Sequence, residues 1–172
     1  PELAEANTRD ICKSLVKALE KESIKLKDIF FISRGDSTLR GHGVLEPRIL
    51  NDELGNFDAT FHIPAFFEGG RNTVDGVHFV DGIPAHKTVF AKDKLFGYST
   101  SNLASWLEEK SDGSIDASSV SHISLEQLNN ACLTSKGMED LINFLLTLSC
   151  NKSVIVDAKH ASQLEALVVA IK

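Results

Sequence analysis

Cysteine is scarce in this 172-residue chain, and its pattern excludes more than it suggests. Cys12, Cys132 and Cys150 form no Cys-x-x-Cys pair, and an odd number suits a disulfide scaffold poorly. Cys12 and Cys132 fall within helical patterns, where cysteine packs as a small hydrophobe, in keeping with a reducing compartment. The histidines (His42, His62, His78, His86, His122 and His160) are dispersed. They show no His-Glu-x-x-His run and no zinc spacing, so no metal is expected. Basic charge is also short: 18 Lys plus Arg against 24 Asp plus Glu leave a net charge of −6. That balance argues against a nucleic-acid partner held by overall charge. The longest apolar stretch, Leu141 to Leu148, is interrupted by Asn143 and Thr147 and falls short of the ~18–20 residues of a membrane span. No secretory signal is visible. These absences lead to the expectation of a soluble, cytoplasmic domain without a membrane partner.

What is present suits one globular domain: 42% hydrophobic residues can form a core, and 24% charged residues is an ordinary share. Pro1, Glu2 and Glu5 resemble the first turn of a helix, with proline where its missing N–H costs nothing and acids near the positive dipole end. Ile171-Lys172 stops while a helix is still running, and the chain does not begin with Met. A piece of a longer protein is the expectation. Leu3 to Glu22 carries apolar residues at helical spacing (Ile11, Leu15, Val16, Leu19). Asp28 to Ser33 is a continuous apolar run that predicts a strand covered on both faces. Val44 to Leu54 follows as a second helix, and Thr60 to Ile63 as a strand closed by Pro64. Asp81-Gly82 between Val77–Val80 and Ile83–Ala85 predicts a hairpin with Pro84 on an edge.

Farther along, Ser101 to Glu109 reads as a helix and Val120 to Ile123 as a strand. Ser124 with Gln127 has capping-box spacing for a helix ending near Leu133. Gly137 to Leu148 gives another helix, Ser153 to Asp157 a buried strand, and Ser162 to Ile171 a last helix. Strands alternating with helices predict an α/β fold: a three-layer αβα arrangement with a mostly parallel, Rossmann-like sheet, plus a β-hairpin excursion near residues 77–85.

Unusual chemistry is concentrated between Ser33 and His42, where an apolar strand should end. In open α/β sheets, ligands bind at the carboxyl ends of strands. The segment supplies Arg34 and Arg40, the hydroxyls of Ser37 and Thr38, the carboxylate of Asp36, and Gly41, which lets the backbone approach a ligand closely. A guanidinium fork can grip a carboxylate or phosphate with two parallel bonds. Pro64 to Thr73 repeats the arrangement with Arg71; if the two strands are neighbours, Arg40 and Arg71 face one crevice. Simpler readings compete. Asp36-Ser37-Thr38 is also the pattern of an Asx turn, and Arg34-Gly35-Asp36 is an adhesive tripeptide that would need a secreted chain. The residues alone leave the loop divided between turn architecture and ligand site. Walker-type, GxGxxG and GxSxG motifs are all missing. Asp157, at a strand end, is a helix cap or a second-rank functional candidate, and His160 reads as a surface residue.

At these residues the chain resembles the sugar-binding N-terminal domain of the four-carbon acid sugar kinase family. That family carries a Lys-x-Asp-Ser-Thr-Leu-Arg-Gly stretch, which stands here as Arg34 to Gly41, with Glu46 where the family also tends to carry an acid. Pro64-Ala65-Phe66 through Gly70-Arg71-Asn72-Thr73 and Gly76-Val77-His78 is similar to its second hallmark. Phe90-Ala91-Lys92-Asp93 and Ser153 to Ala158 are similar to later blocks. Arg34 stands in place of lysine, and Phe67 in place of a second proline.

The resemblance implies a substrate-binding portion of an ATP-dependent kinase acting on erythronate, threonate or 3-oxo-tetronate. ATP with Mg2+ would be bound mainly by a C-terminal domain beyond Lys172, and the family's opening acidic strand would lie upstream of Pro1. The 172 residues alone would then be inactive. By transfer, Arg34, Asp36, Ser37, Thr38, Arg40, Gly41 and Arg71 would bind the sugar acid. Arg40 would take its carboxylate, and Asp36 would orient a hydroxyl or assist its deprotonation as the catalytic residue. A homo-oligomer is compatible with this reading. The alternative is a non-catalytic small-acid-binding module within a larger multi-enzyme protein.

Overall fold

The structure is a computed structural model that describes residues 2–55 and 57–172. Pro1, expected to open the first helix, lies outside the described residues. Two three-stranded sheets organise the described residues. In the first, β1 (Ala59–His62), β6 (Lys152–Val156) and β5 (Ser121–Ile123) run parallel in the order β1-β6-β5. The second is an antiparallel meander of β2 (Arg71–Val74), β3 (Val77–Val80) and β4 (Ile83–Pro84). The mixed α/β class and the helix-covered parallel sheet are as expected from the alternation of patterns.

One face of the parallel sheet is buried by α4 (Leu125–Leu133), α5 (Ser135–Leu145) and α6 (Ala161–Ile171). Val154 and Val156 project into that layer against Ile123, Leu128, Leu141 and Leu167. Ile155, alternating to the other face, joins Leu103, Trp106 and Leu107 of α3 (Leu103–Lys110) together with Val80, Ala85 and Tyr98. Strand periodicity thus divides β6 between two cores, as a central strand requires. The remaining helices, α1 (Glu2–Lys21) and α2 (Leu45–Leu54), pack on each other, and Arg9 of α1 pairs with Glu53 of α2 at 2.5 Å.

The capping box before α4 forms as its spacing predicts: the Gln127 N–H donates to the Ser124 hydroxyl at 3.3 Å, and the Ser124 N–H to the Gln127 side chain at 2.9 Å. Pro84 does lie on the edge strand of its sheet. Helix α5 begins two residues before Gly137 because the Thr134 hydroxyl caps it through the Gly137 N–H. A second Asp-Gly turn, Asp75-Gly76, joins β2 to β3; both residues take positive φ (50° and 71°), the twist a tight hairpin needs. The same dipeptide signal marked Asp81-Gly82, so this turn was equally legible.

The strand expected over 28–33 does not form. Residues 26–28 make a short 3-10 turn, and 29–36 run without a ladder. Phe30 and Ile32 are 63% and 78% exposed rather than covered. Phe31 reaches Phe57, just before β1, with ring centroids 5.6 Å apart, but no strand among the described residues supplies the hydrogen bonds that extended backbone needs. Apolar character alone does not make a strand without a partner.

Asp157 joins the two sheets. Its carboxylate is fully buried at the end of β6 and accepts the N–H groups of Asp75 (2.9 Å), Gly76 (2.9 Å) and Leu125 (3.3 Å). It therefore fastens the β2–β3 turn and the first turn of α4 to the parallel sheet. Thr73 and Ala158 exchange backbone hydrogen bonds beside it. Asp157 does not cap the helix that follows it in sequence; Gln163, accepting from Lys159 and His160, does that work for α6. Replacing Asp157 by Ala should orphan three N–H groups, that of Gly76 fully buried and those of Asp75 and Leu125 partly so, and lower stability by about 3 kcal/mol. Urea denaturation of the variant would read this directly, and an unchanged midpoint would refute the anchoring role.

Candidate functional site

The segment from Asp36 to Gly41 is a tight turn fixed to the hairpin from below. Asp36 Oδ1 accepts the Thr38 N–H (2.8 Å) and the Thr38 hydroxyl (2.7 Å), and the Leu39 N–H returns to the Asp36 carbonyl (3.0 Å). The Asx-turn reading of Asp36-Ser37-Thr38 is therefore realised. Leu39 takes φ +65° while its side chain is 2% exposed in the core with Trp106 and Tyr98. A non-glycine residue in the left-handed region is costly, and burial of the leucine side chain holds it there.

Two successive carbonyls point inward. Ser37 O meets His78 Nε2 at 2.8 Å, and Thr38 O accepts the Tyr98 hydroxyl at 2.8 Å. Burial, reinforced by the charge of Asp36, pushes Tyr98 up to about 12, so it remains a donor to Thr38 O. Gly43, at the other end of the turn, lies against Trp106: a Cβ there would sit 2.9 Å from the indole.

Arg40 rises from this turn. Its Nε and Nη2 each lie 2.8 Å from Asp36 Oδ2, its Nε lies 3.0 Å from the Thr38 hydroxyl, and its Nη1 faces Asp93 at 3.8 Å. The guanidinium stands over the Phe90 ring, 5.2 Å from its centroid. Arg71, at the start of β2, stands 5.8 Å from the same ring and 5.7 Å from Phe66. Arg71 donates from Nη1 to the Gly69 carbonyl, while its Nε is buried without a partner. The two arginines thus converge on one phenylalanine. They do so although no pair of adjacent strands delivers them; the hairpin and the short turn Val89–Lys92 bring them together.

Burial opposes charge on Asp36, but its bonds from Thr38 and the Arg40 guanidinium outweigh that cost and hold its carboxyl below the ordinary range. Asp93 is likewise held low by the backbone N–H groups of Phe96 and Leu95. Ser37 is half-buried, and Gly41 takes φ +87°. Arg34 is exposed and makes no ion pair among the described residues, so it stands apart from the cluster. The sequence by itself assigns no role to Phe90, Asp93, His78 or Tyr98. The first three lie inside recognisable blocks, but nothing in their spacing said which atoms they would meet.

Shallow hollows among the described residues lie elsewhere. One, of about 440 Å³, is lined by Phe67 and the Leu164, Val168 and Val169 side of α6; another, of about 530 Å³, lies between α4 and α5. Neither presents a cationic group. No group of three or more His, Cys, Asp or Glu converges among the described residues.

This arrangement defines an α/β domain carrying a surface cluster of guanidinium, hydroxyl and carboxylate groups at the junction of two sheets. A family model described as a sugar-binding N-terminal domain matches residues 1–172, and the chain belongs to that family. It is similar to a solved Bordetella bronchiseptica domain of unknown function (DUF1537), described as a domain-swapped dimer with bound citrate. Identity is 22%, with a TM-score of 0.67, covering 98% of this chain and 37% of that one. Haemophilus influenzae protein HI1011, also DUF1537, matches with 20% identity and a TM-score of 0.61, over 80% of this chain and 32% of its own. The chain thus spans about a third of the length of these relatives. No curated protein matches it.

His62 ends β1 in register with Ile155, which also pairs with His122 on the same sheet face. Its Nε2 is buried without a partner, and burial pushes it down to about 4. The folded protein therefore binds fewer protons there than the unfolded chain. The stability His62 contributes is present above pH ~6.5 and is lost as the pH falls toward 4. Between pH 7 and pH 5 it should account for up to about 2 kcal/mol of lost stability. A His62→Leu protein, denatured in urea at both pH values, should lose correspondingly less than wild type. Equal losses would show that His62 is not the group that titrates.

Proposed function

We propose that the chain is the acid-binding portion of an ATP-dependent kinase for a four-carbon sugar acid of the erythronate, threonate or 3-oxo-tetronate class. The observation that carries this reading is the convergence of Arg40 and Arg71 on the Phe90 ring, with hydroxyls and a carboxylate beside them. A sugar acid needs cationic donors for its carboxylate and mixed donors and acceptors for its hydroxyls. The cluster supplies both. The aromatic face restricts the motion of the guanidinium planes, so less freedom is lost when the acid binds. The unpartnered Nε of Arg71 is a buried donor that wants an acceptor. A relative of similar fold was solved with citrate, another small hydroxy acid, which supports the same ligand class.

On this reading Arg40, through Nη1, and Arg71 take the carboxylate, Ser37 and Asp36 face the hydroxyls, and Gly41 leaves room for the acid, while Thr38, buried with its hydroxyl held between Asp36 and Arg40, supports them from beneath. Asp36 serves as a hydrogen-bond acceptor for a hydroxyl. As a base it is weak, because its pKa is held low, whereas a base working near neutral pH needs a value nearer 7. Arg34 contributes long-range attraction from its exposed position. The described residues offer no phosphate-binding glycine loop and no cluster of acids for a metal, so they do not fit ATP or Mg2+ themselves. Both would be held by the remainder of the enzyme, which works in the cytoplasm. Phosphoryl transfer asks mainly for positioning, and this domain would supply it for the acceptor. Self-association belongs to the reading as well, on the ground of the domain-swapped Bordetella relative, seen so in two crystal forms.

Calorimetric titration with threonate, erythronate, 3-oxo-tetronate and citrate should detect one preferred acid. Arg40→Ala and Arg71→Ala should each weaken its binding at least tenfold, the cost of a charged hydrogen bond or more. Phe90→Leu should weaken it less, since both arginines remain but lose their platform. Full-length protein with ATP and magnesium should then phosphorylate the preferred acid. Binding without turnover would favour a non-catalytic acid-binding module. Absence of binding to the whole panel would overturn the proposal.

A further inference from the structure

His78 is fully buried in β3, yet neither of its ring nitrogens is idle. Nδ1 lies 3.0 Å from the Thr73 hydroxyl across the hairpin, and Nε2 lies 2.8 Å from the Ser37 carbonyl. A carbonyl only accepts, so Nε2 carries the proton and Nδ1 is left to accept from Thr73. Thr73 is itself fixed, since its backbone exchanges both hydrogen bonds with Ala158. Asp157 and Ala158 at the end of the central strand, Thr73, His78 and Ser37 therefore form one unbroken polar connection. It ends at the residue between Asp36 and the Thr38 hydroxyl that touches Arg40. Burying an imidazole costs free energy unless both nitrogens are satisfied, and here both are.

We propose that His78 is the positioning residue of the acid-binding turn. Its Nε2–H donates to the Ser37 carbonyl and so sets the height of Ser37, Thr38 and Arg40 above the hairpin. This rests on the reading of Arg40 and Arg71 as the acid site. His78 has no contact with the acid; it acts through the turn. Tyr98 holds the adjacent carbonyl, so the turn stays attached without His78 but loses its orientation at Ser37.

Two substitutions separate positioning from packing. A glutamine side chain places its amide donor near the position of Nε2, whereas asparagine reaches only as far as Nδ1. His78→Gln should keep the bond to Ser37, and His78→Asn should lose it while keeping a polar group opposite Thr73. In the free protein, hydrogen exchange of the Thr38 and Leu39 amides should quicken at least tenfold in His78→Asn, with core amides such as Val154 unchanged. Both turn amides should return to within threefold of wild type in His78→Gln. Threonate and citrate affinity should follow the same order, falling at least tenfold in the first variant and recovering in the second. Quickened exchange with unaltered affinity would overturn the positioning role while leaving the arginine site intact. Unchanged exchange, or equal behaviour of the two variants, would overturn it as well. Failure of the wild-type protein to bind any acid would instead remove the arginine reading on which it rests.

Discussion

A carboxylate sealed away from water must be surrounded by donors, and the backbone donors that reach Asp157 come from the hairpin turn and from the start of α4, while His122 Nε2 of β5 lies 3.0 Å from its Oδ1. That single requirement ties the parallel sheet, the antiparallel meander and the helical layer to one point. Everything above it inherits the placement. The hairpin holds Arg71 and His78; His78 holds Ser37; and the turn around Ser37 carries Arg40. The candidate site is therefore not built on a flexible loop that happens to pass by. It is the outer end of a polar framework that begins in the centre of the sheet.

The electrostatics of the site follow from that framework. Arg40 and Arg71 would repel each other if left to themselves, and Asp36 and Asp93 are what make their approach tolerable. Both acids are kept ionised by donors of their own, Thr38 with Arg40 for the first and the Leu95 and Phe96 N–H groups for the second. Phe90 supplies a shared face without competing for hydrogen bonds. The two guanidiniums therefore stand with their planes restrained, with part of their charge balanced and one nitrogen of Arg71 still without an acceptor.

How much of this could be read in advance differs by scale. Helical periodicity in α1, α4 and α6, the Ser124–Gln127 cap and the alternation of strands with helices were legible, because each depends on residues close in sequence. The cluster of candidate residues from Asp36 to Gly41 was legible as chemistry. Its geometry was not, because the contacts that shape it join Ser37 to His78, Thr38 to Tyr98 and Arg40 to Phe90. The run from Asp28 to Ser33 shows the opposite failure. Its residue types suit a strand, but a strand is a relation between two segments, and composition cannot reveal a missing neighbour.

The order of strands in the parallel sheet has a consequence for how the chain acquires its shape. Its middle strand, β6, comes last in sequence: Ala59 pairs with Lys152, and Ser121 with Val154. Among the described residues, β1 and β5 have no partner for their ladders until β6 follows, so this three-stranded arrangement cannot assemble piecewise during synthesis. The Asp75-Gly76 turn waits equally long for Asp157. The Asp36–Gly41 turn can close early on its own Asx bonds, but its seat is completed only once β6 has left the ribosome.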